Sequence, residues 1–297
     1  MRRYLARPAG EEVFGLGEGP VWDGPRERLL WVDVNAGLVL EGGFDGRGIT
    51  VSRRHQLDLS VGAVAVAPDG RLLVAGRRRL LELHADGSVV GGPEIIPPGT
   101  ASRLNDGGCD PAGRFLVGGM ALDDRVGAEV LVRLEHDATI TTIDDDLTLS
   151  NGLGWSLDGR TLYSIDSVPG IIWSRGYDPD GRTGPRRPFA QFRDGTPDGL
   201  CLDREGNLWV AVWGRGEVRC LTPSGEQVAT VSVAAPNTSS VAFVGPGLDT
   251  LLITTAREQL TDDQLRADPL SGHLFLADVE VTGHPVAAWS GHLPAPS

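Results

Sequence analysis

Four short stretches place an oxygen-bearing side chain one or two residues before a glycine, at the start of an apolar segment. They read "LGEGPVW", "RLNDGG", "SNGLG" and "PDGL", and the side chains are Glu18, Asn105, Asn151 and Asp198. Carboxylate and amide oxygens without histidine or cysteine suit hard divalent cations such as Ca²⁺, Mg²⁺ or Mn²⁺, whereas Zn²⁺ usually selects histidine or cysteine. Two carboxylates and one or two amides leave coordination positions open, as a catalytic metal requires.

A repeated unit connects these stretches along the chain. Each copy has a short apolar segment, a turn built on glycine and residues resembling "RLLV". The copies begin at Glu18, Gly62, Asn105, Asn151, Asp198 and Ser240. The four clearest starts are 43, 46 and 47 residues apart. Six copies with a period of about 45 residues, short strands and glycine-rich turns are typical of β-propeller blades.

The sequence therefore predicts an all-β fold, a single six-bladed β-propeller domain over residues 1–297, with a metal site in its central channel. A β-sandwich with coincidental spacing is the alternative, which six in-phase copies disfavour. Because an open ring would expose strand edges, we expect the N-terminal segment near "RYLARPA" to complete the last blade. One short helix is expected in "TDDQLRADPLSG", and Pro269 should end it.

The oxygen-bearing residues occupy the same position in their repeats, the first residue, and this shared position (the repeat phase) predicts whether their side chains lie close together. The innermost strand of each propeller blade lines the channel, so the first residues of the six copies should converge on one face. Asn-Gly and Asp-Gly pairs are also good turn formers, but each copy already has a hairpin turn seven or eight residues later, for example at Asp158-Gly159. Glu18 in "LGEGPVW" suits a hairpin turn poorly, so we favour metal ligation. Nearby Arg103 has two open interpretations, a structural salt bridge or contact with polar substrate groups.

Composition excludes several classes of function. The chain has 40 acidic and 27 basic residues, a net charge of −13, which argues against a nucleic-acid or anionic-membrane partner. No apolar run approaches a membrane span, and the start lacks the apolar core of a secretory signal, so a cytoplasmic location is expected. Three cysteines without CxxC spacing predict neither a disulfide framework nor a thiolate zinc site. We expect a monomer or a weak homodimer.

Five motifs in order resemble a known family over nearly the whole chain. They are "LGEGPVWD" from Leu16, "RLNDGGCDPAGRFLVGGM" from Arg103, "SNGLGWSLDGRTLYSIDS" from Ser150, "PDGLCLDREGNLWVAVW" from Pro197 and "LLITTA" from Leu251. With these motifs the chain resembles the regucalcin (senescence marker protein)/gluconolactonase family, six-bladed propellers with a divalent metal in the channel.

The resemblance implies roles for individual residues. Glu18, Asn151 and Asp198 would bind the metal, and Asp198 would also be the catalytic carboxylate. Arg103 and Asn105 would contact the substrate. The family commonly has "GTM" followed closely by an acidic residue that touches the sugar. Here the sequence is "GGMALDD", so Asp123 is the nearest match. The metal set is intact, while the substrate surroundings depart from the family pattern.

These observations predict a divalent-metal-dependent hydrolase that opens a sugar lactone, a small-molecule substrate. Ca²⁺ is the first expectation for the ion, with Zn²⁺, Mg²⁺ and Mn²⁺ open. One alternative is a metal-dependent hydrolase of aryl lactones or phosphotriesters. Another is a calcium-binding or ligand-binding propeller without catalysis.

Overall fold

A computed structural model describes residues 1–291 and 293. The strands of these residues form six antiparallel sheets, one of which carries an additional parallel strand. The sheets follow the six sequence repeats in order, so the six-bladed β-propeller is confirmed. The prediction of one domain over residues 1–297 stays a prediction, and its positions 292 and 294–297 lie outside the described residues.

The first half of the chain forms three blades after two short N-terminal strands. The N-terminal strands are β1 (Arg2–Leu5) and β2 (Arg7–Pro8). Blade 1 contains β3 (Gly17–Asp23), β4 (Arg28–Asp33), β5 (Leu38–Phe44) and β6 (Ile49–Gln56). Blade 2 contains β7 (Val61–Val66), β8 (Leu72–Gly76), β9 (Arg79–Leu83) and β10 (Val89–Glu94). Blade 3 contains β11 (Ser102–Cys109), β12 (Phe115–Ala121), β13 (Glu129–Leu134) and β14 (Ile140–Leu147).

The second half forms the other three blades. Blade 4 contains β15 (Ser150–Trp155), β16 (Thr161–Asp166), β17 (Ile171–Gly176) and β18 (Arg187–Gln191). Blade 5 contains β19 (Thr196–Leu202), β20 (Leu208–Trp213), β21 (Glu217–Leu221) and β22 (Gln227–Ser232). Blade 6 contains β23 (Thr238–Val244), β24 (Thr250–Thr255) and β25 (Phe275–Asp278).

In the part of the chain that the structure describes, two short helical segments interrupt the strands. A 3-10 turn covers Gly24–Arg26. Helix α1 (Asp262–Ala267) begins at Thr261, whose side chain and that of Gln264 form a reciprocal capping box. The helix ends two residues before Pro269, as predicted. No helix in the described part of the chain is long and apolar enough to cross a bilayer.

The apolar core is divided among the blade interfaces. Separate clusters of buried side chains lie between consecutive blades around the ring. Trp31 of β4 and Trp209 of β20 are almost fully buried in two of these clusters. The innermost strands β3, β7, β11, β15, β19 and β23 contact one another in this order and enclose the channel. We call the end of the channel where these strands begin the upper face, and the opposite end the lower face.

The ring closes through the N-terminal strands. Arg7 and Pro8 of β2 pair antiparallel with β25 and supply the fourth strand of blade 6, as predicted. Strand β1 instead pairs parallel with β22 at the outer edge of blade 5. The N-terminal segment therefore covers edges of two neighbouring blades rather than of one.

After β25 the chain crosses the lower face, and we call residues 282–290 the strap. On one side, Gly283 donates its backbone N–H to Leu248 at 2.7 Å and His284 donates to Leu202 at 2.9 Å. On the opposite side of the ring, Trp289 donates its backbone N–H to Val66 at 2.8 Å. The strap thus connects blades 5 and 6 with blade 2 across the axis.

Candidate functional site

Each innermost strand is irregular at the height where the predicted site residues lie. The pairing register breaks at Glu18–Val21, Val61–Ala63, Leu104–Gly107, Asn151–Leu153, Pro197–Leu200 and Thr238–Val241. A bulge interrupts the alternation of side chains and re-aims one of them. The six bulges stand in phase, so the predicted positions reach the channel at one level. In blade 2 this position is Gly62, where a Cβ atom would lie 2.3 Å from the backbone oxygen of Asn105.

Buried aspartates fix the chain where it enters two of these strands. The Asp33 carboxylate accepts backbone N–H groups from Gly15 at 2.9 Å and Leu16 at 3.1 Å, just before Glu18. Asp166 accepts the N–H of Leu149 at 3.0 Å, just before Asn151. Since each carboxylate is held by the second strand of the same blade, the first strand is anchored directly before its site residue.

A chain of hydrogen bonds crosses from blade 3 to blade 5 beside the channel. Arg103 Nη1 donates to Asn105 Oδ1 at 2.5 Å, and Asn105 Nδ2 donates to Asn151 Oδ1 at 2.7 Å. Asn151 Nδ2 donates to Ser167 Oγ at 2.8 Å, which donates to the backbone oxygen of Pro197 at 2.7 Å. The structure therefore brings Arg103, Asn105 and Asn151 into direct contact and ties them to the strand that carries Asp198.

The two predicted carboxylate ligands are buried and electrostatically coupled. Glu18 is 8% exposed and Asp198 is 7% exposed. Burial, together with the negative charge of Asp106, raises the pKa of Glu18 to about 8. Burial and the nearby charges of Glu18 and Asp106 raise the pKa of Asp198 well above its ordinary range. Carboxylates that disfavour one another's ionisation create a strong demand for a compensating cation.

Two acidic residues near the site were not predicted from the sequence. Asp106 lies in the same bulge as Asn105, accepts backbone N–H groups from Gly107 at 2.8 Å and from Gly152, and has its pKa raised to about 6 by burial. Its position one residue after Asn105 was the available signal, which the Asn-Asp-Gly turn pattern concealed. Glu258 follows β24, and its charge acts on Glu18 and Asp198. It has no counterpart in the other repeats, so the repeat phase gave no signal for it.

The environment of Arg103 bears on its two interpretations. Arg103 is 7% exposed, and burial lowers the pKa of its guanidinium. It forms no salt bridge with any carboxylate that the structure describes. Its hydrogen bonds to the rest of the described chain come from Nη1 alone, to Asn105 and to the backbone oxygen of Leu104. The other guanidinium N–H groups therefore have no hydrogen-bond partner among the described residues, which leaves them available to another molecule.

Asp123 lies apart from the other predicted residues. It occupies the upper loop between β12 and β13, its side chain is 44% exposed, and Arg125 Nε contacts its carboxylate at 2.6 Å. Arg125 also donates to Ser102 Oγ at 2.7 Å, next to Arg103. The structure thus places Asp123 at the rim of the channel in an ion pair, without contact to the buried group.

The donor chemistry of the buried group fits a hard divalent cation. The Asp198 carboxylate accepts no hydrogen bond from the described residues. The Glu18 carboxylate accepts one from these residues, from the adjacent backbone N–H of Gly19 at 2.8 Å. Asn151 Oδ1 accepts one hydrogen bond and keeps its second lone pair. Within residues 1–291 and 293, no group of three or more His, Cys, Asp and Glu side chains is arranged to hold a metal. An ion at this site would therefore need the amide oxygen of Asn151 in addition to the two carboxylates.

Comparisons with known proteins identify the family to which the chain belongs. A family model described as the SMP-30/gluconolactonase/LRE-like region matches residues 16–257. The chain is 35% identical over 274 residues to 6-deoxy-6-sulfogluconolactonase of Pseudomonas putida, with 90% of this chain and 92% of that protein covered. It is 32% identical over 299 residues to L-arabinolactonase of Azospirillum brasilense, with 96% and 97% covered.

A solved structure extends the likeness to three dimensions. The crystal structure of a calcium-binding protein, regucalcin, from Agrobacterium tumefaciens superposes with a TM-score of 0.90. The two sequences are 28% identical, and the match covers 97% of this chain and 98% of that one. By sequence and by structure, the chain belongs to the SMP-30/gluconolactonase/LRE-like family.

Proposed function

We propose that this protein is a divalent-metal-dependent lactonase that hydrolyses sugar lactones. The observation that carries the proposal is the convergence of Glu18, Asn151 and Asp198, from three different blades, on one buried level of the channel. Two of the similar proteins are named as lactonases of sugar-derived substrates. A similar structure is named as a calcium-binding protein, which supports Ca²⁺ as the first ion to test.

In this proposal Glu18, Asn151 and Asp198 would hold the ion. When bound, a divalent cation would supply Lewis acidity, which polarises a carbonyl group and stabilises the negative charge that develops on its oxygen. Asn105 keeps the amide oxygen of Asn151 in place through its hydrogen bond. Ser167 fixes the other end of the same amide, so the orientation of this ligand is set before substrate arrives.

Asp198 is proposed as the general base. Its carboxylate accepts no hydrogen bond from the described residues, so it would be available to contact the ion and to accept a proton from the attacking water. Water adds to the lactone carbonyl carbon, and the ring C–O bond then breaks. The proton taken up by Asp198 is the one required by the departing ring oxygen, which becomes the hydroxyl of the open acid.

We propose that the substrate hydroxyl groups bind on the side of the metal site that faces the upper face, beside Arg103 and Asn105. The free N–H groups of Arg103 can donate to them, while Asn105 retains one acceptor lone pair besides its bond to Arg103. Asp123 can contribute only if its ion pair with Arg125 opens. The proposal therefore predicts a larger effect on substrate binding from Arg103 than from Asp123.

The test measures acid release from a panel of sugar lactones and one aryl lactone by chelator-stripped protein. Ca²⁺, Mg²⁺, Mn²⁺ and Zn²⁺ are added back one at a time. Asp198→Asn removes the proposed base with little change in shape. Asp158→Asn is the matched control because Asp158 lies in an exposed hairpin turn of the neighbouring blade.

We expect metal-dependent turnover of at least one sugar lactone, at least about a hundredfold slower in Asp198→Asn and unchanged in Asp158→Asn. Full activity in Asp198→Asn would refute its role as the base. Tight metal binding without turnover of any lactone would refute the lactonase assignment, and phosphotriesters would then be tested.

A further inference from the structure

Below the candidate site, the lower part of the channel opens into a cavity of about 710 Å³. Glu18, Asn105, Asn151 and Asp198 are not among the residues that line it. Asp106 lines its upper end, so the cavity begins directly beneath the buried carboxylate group. The cavity is therefore a separate space on the other side of the candidate site from the upper face.

The walls of the cavity are mainly apolar. Leu153, Trp155, Leu200 and Phe243 contribute large apolar side chains from three blades. Cys109 and Cys201 also line it, and burial raises the pKa of both thiols, which are uncharged at neutral pH. Such a wall offers contact to apolar groups and little compensation for a charged ligand.

The strap crosses the lower side of the cavity. Residues 285–288 form part of the wall, between the backbone bonds that hold the strap at opposite sides of the ring. Trp289 is 1% exposed and packs into the core between blades 2 and 3. At the lower mouth, Val286 is 61% exposed and Leu157 is 44% exposed. The cavity thus has an anchored segment across its lower side and two exposed apolar side chains at its mouth.

The charged groups near the mouth are mostly engaged elsewhere. Arg26 contacts the Asp23 carboxylate at 3.2 Å and donates to the backbone oxygen of Pro68 at 2.6 Å. Asp158 accepts hydrogen bonds within its own hairpin turn. Arg204 also lines the mouth but is exposed to solvent. An occupant of the interior therefore meets apolar surface, with Asp106 as the ionisable carboxyl at the upper end.

We propose that this lower cavity is a second small-molecule site, for an uncharged and largely apolar molecule. Its volume falls within the roughly 300–1,000 Å³ of small-molecule pockets, and its apolar enclosed walls are typical of them. The site is distinct from the proposed lactone site in position and in chemistry. It does not depend on catalysis, because none of the proposed metal ligands forms its wall.

The test uses 1-aminoanthracene, an uncharged apolar fluorophore at neutral pH, titrated into the purified metal-free protein. Gly108→Phe fills the cavity. A Cβ atom at Gly108 would lie 3.7 Å from Trp155 and 3.8 Å from Leu153, an ordinary contact distance in a backbone conformation open to any residue. Gly176→Phe is the matched control, because Gly176 is exposed and its Cβ atom would meet nothing within 4 Å.

We expect saturable binding of one fluorophore per chain, at least tenfold weaker in Gly108→Phe and unchanged in Gly176→Phe. Absence of saturable binding to the wild type, or equal binding to both variants, would overturn the proposal. Circular dichroism and thermal melting establish that each variant is folded.

A second measurement on the wild type keeps the test independent of the variants. Iodoacetamide labelling of each cysteine, at pH 9 and over hours because the Cys109 and Cys201 thiols ionise only weakly, is followed by peptide mass spectrometry, with and without the fluorophore. The fluorophore should slow labelling of Cys109 and Cys201 at least threefold. Cys220, which is 2% exposed and packs in the core between blades 5 and 6, is the internal control and should not change. No protection of Cys109 and Cys201 would contradict the site even if fluorescence increased.

Discussion

The affinity of the candidate site for a divalent cation should depend steeply on pH. The cation needs ionised carboxylates, whereas burial and the charge of Asp106 raise the pKa of Glu18 to about 8. Asp198 is shifted in the same direction. Binding at neutral pH must therefore displace protons from the site. Affinity should increase as pH rises and become constant once both carboxyls ionise without the metal.

The size of the effect follows from the pKa of Glu18 alone. Each pH unit below the pKa reduces the ionised fraction about tenfold, which corresponds to about 1.4 kcal/mol. Between pH 8 and pH 6 the apparent affinity should fall about fiftyfold through Glu18. Protonation of Asp198 adds to this fall, so fiftyfold is the lower expectation.

Isothermal titration calorimetry with Ca²⁺ at pH 6, 7 and 8 measures the affinity. Repeating each titration in two buffers of different protonation enthalpy gives the number of protons released. We expect the release of at least one proton at pH 6. In Glu18→Gln, affinity should be lower at pH 8 and its pH dependence shallower. An affinity that stays constant from pH 6 to 8, without proton release, would refute the inferred ionisation states.

Three further outcomes are expected. Replacing Arg103 with Lys keeps the positive charge but loses the planar set of guanidinium N–H donors. KM for the lactone should therefore rise about tenfold or more, with an unchanged melting temperature. An unchanged KM would show that Arg103 does not bind the substrate. Trp289→Ala should lower the free energy of unfolding in urea by about 3–5 kcal/mol, because this buried side chain anchors the strap; a loss below about 1 kcal/mol would mean that the strap is not anchored there. The metal-free protein should lose stability as pH rises from 4.5 to about 8, since folded Glu18 keeps its proton in this range while the unfolded carboxyl, with its ordinary pKa of 4.5, does not. Urea titrations at pH 5, 6.5 and 8 measure the free energy of unfolding. An increase of this free energy with pH, in the metal-free wild type and in metal-free Glu18→Gln alike, would contradict the expectation.

The architecture could be predicted because each blade repeats the same local signals. The repeat phase joined Glu18 to Asp198 although they are 180 positions apart. In the structure both positions lie at in-phase bulges of innermost strands, and the charge of Glu18 acts on Asp198. The completion of blade 6 by Arg7 and Pro8 was also predicted, because an open ring leaves an unpaired edge.

Other features depend on contacts that no local pattern encodes. The parallel pairing of β1 with β22 requires knowledge of which blade edge lies beside the N-terminal segment. The strap has no periodicity, and its path is set by the burial of Trp289 between blades 2 and 3, on the opposite side of the ring from blades 5 and 6. In the sequence, Asp106 resembles a turn residue. The bulge that turns it towards the channel arises from pairing between β11 and β12, which the residues around Asp106 do not reveal. Roles of Arg103, Asn105, Asp123 and the three metal ligands stay predictions until substrate and metal are measured.

The closure of the ring has a consequence for how the chain acquires its structure. Arg7 pairs with Leu276, so the outer strand of the last blade is synthesised long before its partner. During synthesis, β2 and the exposed edge of the most recently completed blade both lack the strands with which they pair in the finished ring. Contacts of such long sequence separation form slowly, and unpaired edges favour association between nascent chains. The closing strand therefore makes folding of the final blade a late event that requires nearly the whole chain, and delays in synthesis before residue 276 should increase aggregation.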